Sequence, residues 1–352
     1  MSLARIYLES ACPDVSCGPQ LDQAENAGLL NYATFLLEIL KEEDRHFIES
    51  ESTVAAKARD LETKQLAQLL RWRDKLSREV EDAALQGVEI VLVELTSPQA
   101  ITAYEQDKSF AIGYDRRLIA FLGSILSWAY FTARLISRGM NPLDAHSEFL
   151  RALADHVQLT YLNRALPNSF EERELGLLNQ LNEIERRMVG AASNLSAKFV
   201  LYHELGHVYL AHFQTGEAST LHTIESGLIS AFAEQRLEFE ADRFAMDHMI
   251  DPKDGVTTAI VAIVAPEIFF YILALKEAMM PTVVPAADMM VRVHPPCSQR
   301  AQQLSMGKRP PAYLVEWEIL LQVPTLLKMI VESKRFKIAA QFFREKISAK
   351  QR

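Results

Sequence analysis

Cysteine is scarce in this chain of 352 residues. Cys12, Cys17 and Cys297 are too few and too unevenly spaced for a disulfide framework or a cysteine metal site, and they point to a reducing, cytoplasmic setting. Positive charge is also short: 37 Lys and Arg against 46 Asp and Glu leave a net charge of −9, which argues against nucleic acid as a partner. No basic start followed by a long apolar run opens the sequence, so no signal peptide is expected. The uncharged stretch from Leu118 to Ala133 ends at Arg134, and Thr257 to Leu275 contains Pro266 and Glu267. A membrane span needs about 20 apolar residues, so the segments 118–136 and 257–275 are expected to be buried helices. Proline is missing between Pro167 and Pro252, so nothing in that stretch forbids long helices.

Hydrophobic residues at 49% and charged residues at 24% describe a globular chain. Its most informative stretch is Phe199-Val200-Leu201-Tyr202-His203-Glu204-Leu205-Gly206-His207. On a helix, positions i and i+4 lie about 40° apart around the axis, so His203 and His207 share a face and can grip one metal ion. Glu204, about 100° round from His203, can take a proton from a water that the metal activates. Most of the flanking residues are apolar, which predicts a buried helix, with Asn194 or Ser196 as its cap. Buried imidazoles and a carboxylate need a partner, and a divalent cation is one.

Catalytic zinc usually takes three protein ligands and leaves a position for water. His212 lies half a turn round a continued helix from His203 and is rejected as the third. The segment Glu234-Gln235-Arg236-Leu237-Glu238-Phe239-Glu240-Ala241-Asp242 also reads as a helix, with Glu234, Glu238 and Asp242 on one stripe. Three stacked acids repel unless something positive faces them. Glu238 is therefore the expected third ligand and Asp242 the carboxylate that holds a ligand histidine in its tautomer, while Ala241 is small enough to let two helices approach. The competing reading is a solvated acidic face.

H-E-L-G-H followed by E-F-E-A-D-R-F-A resembles the gluzincin metallopeptidases with an E-x-x-A-D second motif, chiefly the HtpX and CAAX prenyl protease group. It is also similar to the ImmA/IrrE group and to the phage-exclusion peptidase Lit. In those families the first Glu of E-x-x-A-D is the third zinc ligand, which maps to Glu238. His294-Pro295-Pro296-Cys297-Ser298-Gln299-Arg300 resembles the H-P-x-x-x-x-R segment of the HtpX-like enzymes, and either His294 or Arg300 is a candidate to stabilise an oxyanion. The stretch from Ala103-Tyr104 to Ile119 is similar to the region of that group whose edge strand aligns an extended peptide, though Thr102 stands where the pattern has Asn. The HtpX and CAAX groups are integral membrane proteins. The short apolar runs here depart from that.

In chain order, residues 1–86 are expected to form a helical hairpin, with helices near Leu21–Phe47 and Val54–Leu85. A break at Gly87 leads into β-rich runs at Val88–Leu95, Ile101–Tyr104 and Ser109–Tyr114. Residues 87–305 make up the expected catalytic domain, with a helical insertion at 139–193 that closes at Gly190-Ala191-Ala192-Ser193. Thr215–Gly227 and Asp251–Gly255 read as loop and turn, and Val256–Met280 as a helix kinked at Pro266. Residues 306–352 add helices and a basic tail that reads first as a solvated terminal helix, with peripheral contact with an anionic membrane or a partner as the alternative. The fold expected is mainly α with a small β-sheet, an α+β zincin-like domain extended at both ends. The function expected is a zinc-dependent endopeptidase acting on protein or peptide, or within that class a Lit-like peptidase that cuts one cytosolic protein. The reading from a different class is a regulatory protein whose zinc site is structural, closed by a fourth ligand such as Glu234.

Overall fold

The computed structural model of the protein describes residues 51–93, 100–104, 109–161, 177, 180–212, 228–250, 256–279, 295–305, 318–334 and 336–341. The expected helix at 21–47, the loop at 215–227, the turn at 251–255, the candidate His294 and the tail beyond residue 341 lie outside these residues. The described elements are mainly helical with one small sheet, an α+β architecture. The chain divides into two compact units, Met1–Ser124 with Asp155–Arg186, and Ile125–Ala154 with Arg187–Arg352.

In the first unit, α1 (Glu51–Glu79) is shorter than its sequence pattern suggested. Glu81 adopts a left-handed φ of 54°, Ser77 donates to the Asp82 carbonyl at 2.6 Å, and the Asp82 carboxylate accepts from the Ala84 N–H at 2.8 Å. That local cap turns the chain into a separate 3-10 turn at Ala83–Gly87. Three strands follow: β1 (Glu89–Val93), β2 (Ala100–Tyr104) and β3 (Phe110–Asp115). Their order is β1-β3-β2, with β1 parallel and β2 antiparallel to β3. Five of the six residues of the central strand are buried, as a strand covered on both faces requires. Arg73 of α1 donates to the Val88 carbonyl at 2.8 Å, and Arg116 after β3 reaches Glu62 of α1 at 3.0 Å.

Helices α2 (Leu118–Ser137) and α3 (Pro142–Tyr161) contribute residues to both units. Among the described residues α2 is the one helix long and apolar enough to cross a membrane by length and composition, and 78% of its apolar window is buried. The helix carrying the histidines, α4, runs without a break from Glu183 to Tyr209. This corrects the expected closure at Gly190–Ser193 and the expected caps at Asn194 and Ser196. The start is a reciprocal cap at Asn182, whose side chain accepts from the Glu185 N–H at 2.9 Å while Glu185 accepts from the Asn182 N–H at 2.8 Å. Ser193 folds its hydroxyl back onto the Val189 carbonyl at 2.8 Å and so stays inside the helix. Ser196 spends its hydroxyl on the Ala265 carbonyl of the next long apolar helix, at 2.9 Å.

The second unit continues with α5 (Leu228–Met249), α6 (Val256–Met279), α7 (Cys297–Ser305) and α8 (Glu318–Glu332). Helix α6 packs against α5, α7 and α8 and supplies much of the core, including Phe269, Phe270 and Tyr271. Phe199 of α4 meets Phe270 edge to face with ring centres 5.6 Å apart. Lys198 is buried and donates to the Met249 carbonyl at 2.7 Å, a cation placed where the α5 dipole ends negative. The approach of α4 to α5 depends on Gly206: a Cβ there would stand 2.9 Å from Phe244 Cδ1 and 3.4 Å from Ala241 Cα. Ala241, fully buried, is the small partner on the other side.

Candidate metal centre

His203, Glu204, His207, His212, Glu238, Glu240, Asp242 and Arg300 all belong to the second unit. His203 and His207, one turn apart on α4, bring their Nε2 atoms to 3.1 Å from each other. Helix α5 carries Glu238 against them, with one oxygen 3.4 Å from His203 Nε2 and the other 3.4 Å from His207 Nε2. All three side chains are nearly buried. A tetrahedral ion bound through nitrogen and oxygen at about 2.0–2.2 Å separates its donors by about 3.3–3.5 Å, so the spacing here fits such an ion. His203, His207 and Glu238 can hold a metal ion, and among the described residues theirs is the cluster that can. Glu204 follows His203 on the same helix and is half-buried.

Asp242 lies one turn beyond Glu238 and accepts from His203 Nδ1 at 3.0 Å, the far nitrogen of that ring. A neutral imidazole carries one proton, so a proton fixed on Nδ1 leaves the Nε2 lone pair pointing into the cluster.

The positive group that faces the acidic stripe in the structure is Arg300 of α7. Its Nε and Nη2 donate to the two oxygens of Asp242 at 2.8 and 2.5 Å, and its Nη1 lies 3.0 Å from Glu238. The guanidinium also stacks over Phe270 at 4.3 Å and comes within 3.3 Å of His203 Nδ1. As an oxyanion candidate Arg300 is therefore already committed to two carboxylates. The sequence signal for this pairing was faint: one arginine, 58 residues after Asp242, in a segment singled out by resemblance.

These contacts set the protonation states. For His203, burial and the charge of Arg300 pull the pKa down, but the carboxylates of Asp242 and Glu238 outweigh them and raise it to about 9. Burial alone pushes the Asp242 carboxyl up. Arg300, and then His203, bring it below its ordinary value. His212 is lowered to about 4 by burial and by neighbouring His207, with Glu240 pulling the other way, so it is a neutral ring near pH 7.

His212 does not join the three donors. It sits behind them, Nδ1 to Nδ1 with His207 at 2.8 Å, with its Nε2 3.4 Å from Glu240. Extending the helix put this residue half a turn away from His203. In the structure the helix ends at Tyr209, Ala211 takes a left-handed φ of 55°, and the chain reverses. The N–H of Ala211 bonds the Val208 carbonyl and that of His212 the His207 carbonyl, each at 3.1 Å. That paired reversal is the common way for a helix to end, here with alanine where glycine is usual.

The proposed edge-strand residues Ala103 and Tyr104 lie on β2, at one edge of the three-stranded sheet in the first unit, paired with Ala111 and Phe110.

Residues 139–306 match the family model of Peptidase U49, the Lit-like peptidases. The segment that carries His203, Glu204, His207, Glu238, Asp242 and Arg300 is thus similar to a family of peptidases. No curated protein and no solved structure matches the chain.

Proposed function

We propose that this chain is a zinc-dependent endopeptidase in which His203, His207 and Glu238 hold the ion and Glu204 is the general base. The observation that carries the reading is the convergence of three donors from two helices at 3.1–3.4 Å, within a segment similar to a peptidase family. Zinc, when bound, supplies a Lewis acid that polarises the scissile carbonyl and makes water acidic enough to attack near neutral pH. Glu204 takes the proton from the attacking water and passes it to the leaving amine nitrogen. Asp242 keeps His203 in the tautomer that presents Nε2, and Arg300 holds Asp242 ionised and in place.

Similarity to the Lit-like peptidases favours a narrow substrate range, a single folded protein rather than peptides at large. A cytoplasmic setting agrees with the scarcity of cysteine.

Metal analysis of the wild type and of Glu204→Gln, with cleavage assays on a peptide library and on cell extract, tests the reading. Both proteins should carry about one zinc ion and only the wild type should cut. Absence of zinc from the wild type, or undiminished cleavage by Glu204→Gln, defeats it. Cleavage confined to one protein in the extract supports the Lit-like form, and cleavage of many library peptides removes it.

A further inference from the structure

We propose that His212 is a positioning residue for the metal centre: it holds His207 in the tautomer that presents Nε2 to the ion, and Glu240 stands behind it in the same chain of contacts. The inference rests on the metal reading above and concerns His212, which lies outside both motifs.

The two imidazoles that face the cluster need the same service. Each must keep its single proton on the nitrogen away from the ion, so that the Nε2 lone pair is free to donate. For His203 the far nitrogen meets the Asp242 carboxylate at 3.0 Å. For His207 the far nitrogen lies 2.8 Å from His212 Nδ1. Two ring nitrogens at this distance cannot both carry a proton. With His207 donating from Nδ1, His212 must accept at Nδ1 and hold its own proton on Nε2. That nitrogen faces Glu240 Oε2 at 3.4 Å, which favours a proton there. The sequence of protons is therefore consistent from end to end: Glu240 favours Nε2–H on His212, His212 favours Nδ1–H on His207, and His207 Nε2 is left to the metal.

The backbone is built to place this ring. Left-handed Ala211 folds the chain back at the end of α4, so that His212, five residues after His207, lies against the rear of the ring it serves. His212 is 3% exposed, which keeps water from taking its place. An alanine in a left-handed conformation is strained, and the fold tolerates it here.

The test uses the full chain and two readouts: zinc affinity, by competition with a chromophoric chelator, and the His207 tautomer, by long-range proton–nitrogen NMR of the metal-free protein. His212→Leu should weaken zinc binding about 10- to 100-fold and shift His207 away from the Nδ1–H form. His212→Asn puts an amide oxygen near the lost Nδ1 and should restore affinity to within a few-fold of wild type. Glu240→Gln should give a smaller loss than His212→Leu. Zinc bound by the wild type, with His212→Leu equal to it in affinity and tautomer, overturns this inference and leaves the metal reading standing. So does a folded His212→Asn variant as weak as His212→Leu, which assigns the ring to packing alone. A wild type that takes up no zinc sinks the metal reading, and this inference with it.

Discussion

Two buried aspartate–arginine pairs, one in each unit, differ in a way that separates a structural ion pair from part of a site. In the first unit Asp115, fully buried, accepts from the Arg117 N–H at 2.9 Å and from its Nε at 3.2 Å. The partners are two residues apart, at the end of β3. In the second unit Asp242 and Arg300 are 58 residues apart, and their pair also touches Glu238 and His203. The first pair clips a turn. The second holds one charged group in register with imidazole lone pairs on a different helix. Burial of charge is common to both, so burial alone does not mark a site; the convergence of donors around the second pair marks a candidate one.

The largest expected effect breaks each pair in turn. Arg300→Met leaves Asp242 and Glu238 without their guanidinium and should cost about 3–5 kcal/mol of stability. Zinc should restore a good part of this, because a cation between His203, His207 and Glu238 neutralises the carboxylate that Arg300 faced. Arg117→Met takes the guanidinium from Asp115 while keeping the bond from the N–H of residue 117, and should destabilise, with no recovery on adding zinc. Thermal melts of both variants with and without the metal decide it. Equal protection of the two would erase the distinction drawn here.

Next in size is Gly206→Ala. Its Cβ would meet Phe244 at 2.9 Å, and Phe244 is itself stacked on Tyr209 with ring centres 4.9 Å apart. Displacing α5 from α4 should cost about 1–3 kcal/mol and weaken zinc binding, since Glu238 moves with the helix. A denaturant titration combined with chelator competition measures both. A variant that melts lower yet binds zinc as before would show that ligand convergence does not depend on this contact.

A pH experiment probes a third, half-buried acid, one outside the site. Burial raises Glu267 of α6 from 4.5 to about 7, with Lys328 opposing. Its folded-state pKa lies above its unfolded one, so between these values the folded protein binds more protons and stability falls as pH rises. That contribution is lost from pH 4.5 upward and is fully gone above about 7. Glu267→Gln should flatten this slope and raise the Tm by a few degrees at pH 8, without changing zinc affinity. An unchanged Tm at pH 8 contradicts the assignment.

The smallest effect is at Ala211. Glycine adopts the left-handed conformation without strain, so Ala211→Gly should stabilise by about 1 kcal/mol or less and leave zinc binding unchanged. A lower Tm would mean that the alanine methyl packs in a way that outweighs its backbone strain.

The candidate metal ligands were legible because their spacing is a helix property. His203 and His207 at i and i+4, and Glu238 and Asp242 at i and i+4, share faces by geometry alone, and the helices that carry them were visible from apolar patterning. The three strands were legible from β-branched runs between turn residues, with boundaries near those observed. The continuity of α4 was not, because the small residues at 190–193 read as a break until the cap at Asn182 and the back-bond of Ser193 were seen. Nor was the end of that helix, where extending ideal geometry past Tyr209 misplaced His212.

The sequence by itself thus determined which residues can bind a cation and which faces of which helices they occupy, since both follow from residue type and local periodicity. Tertiary structure decided what stands behind each donor: which histidine Asp242 meets, with Arg300 beside it, and the pairing of His212 and Glu240 behind His207. Those contacts depend on how far one helix runs, where the chain reverses, and which distant arginine fills the space between two carboxylates. Close packing settles such matters, and no period in the sequence records them.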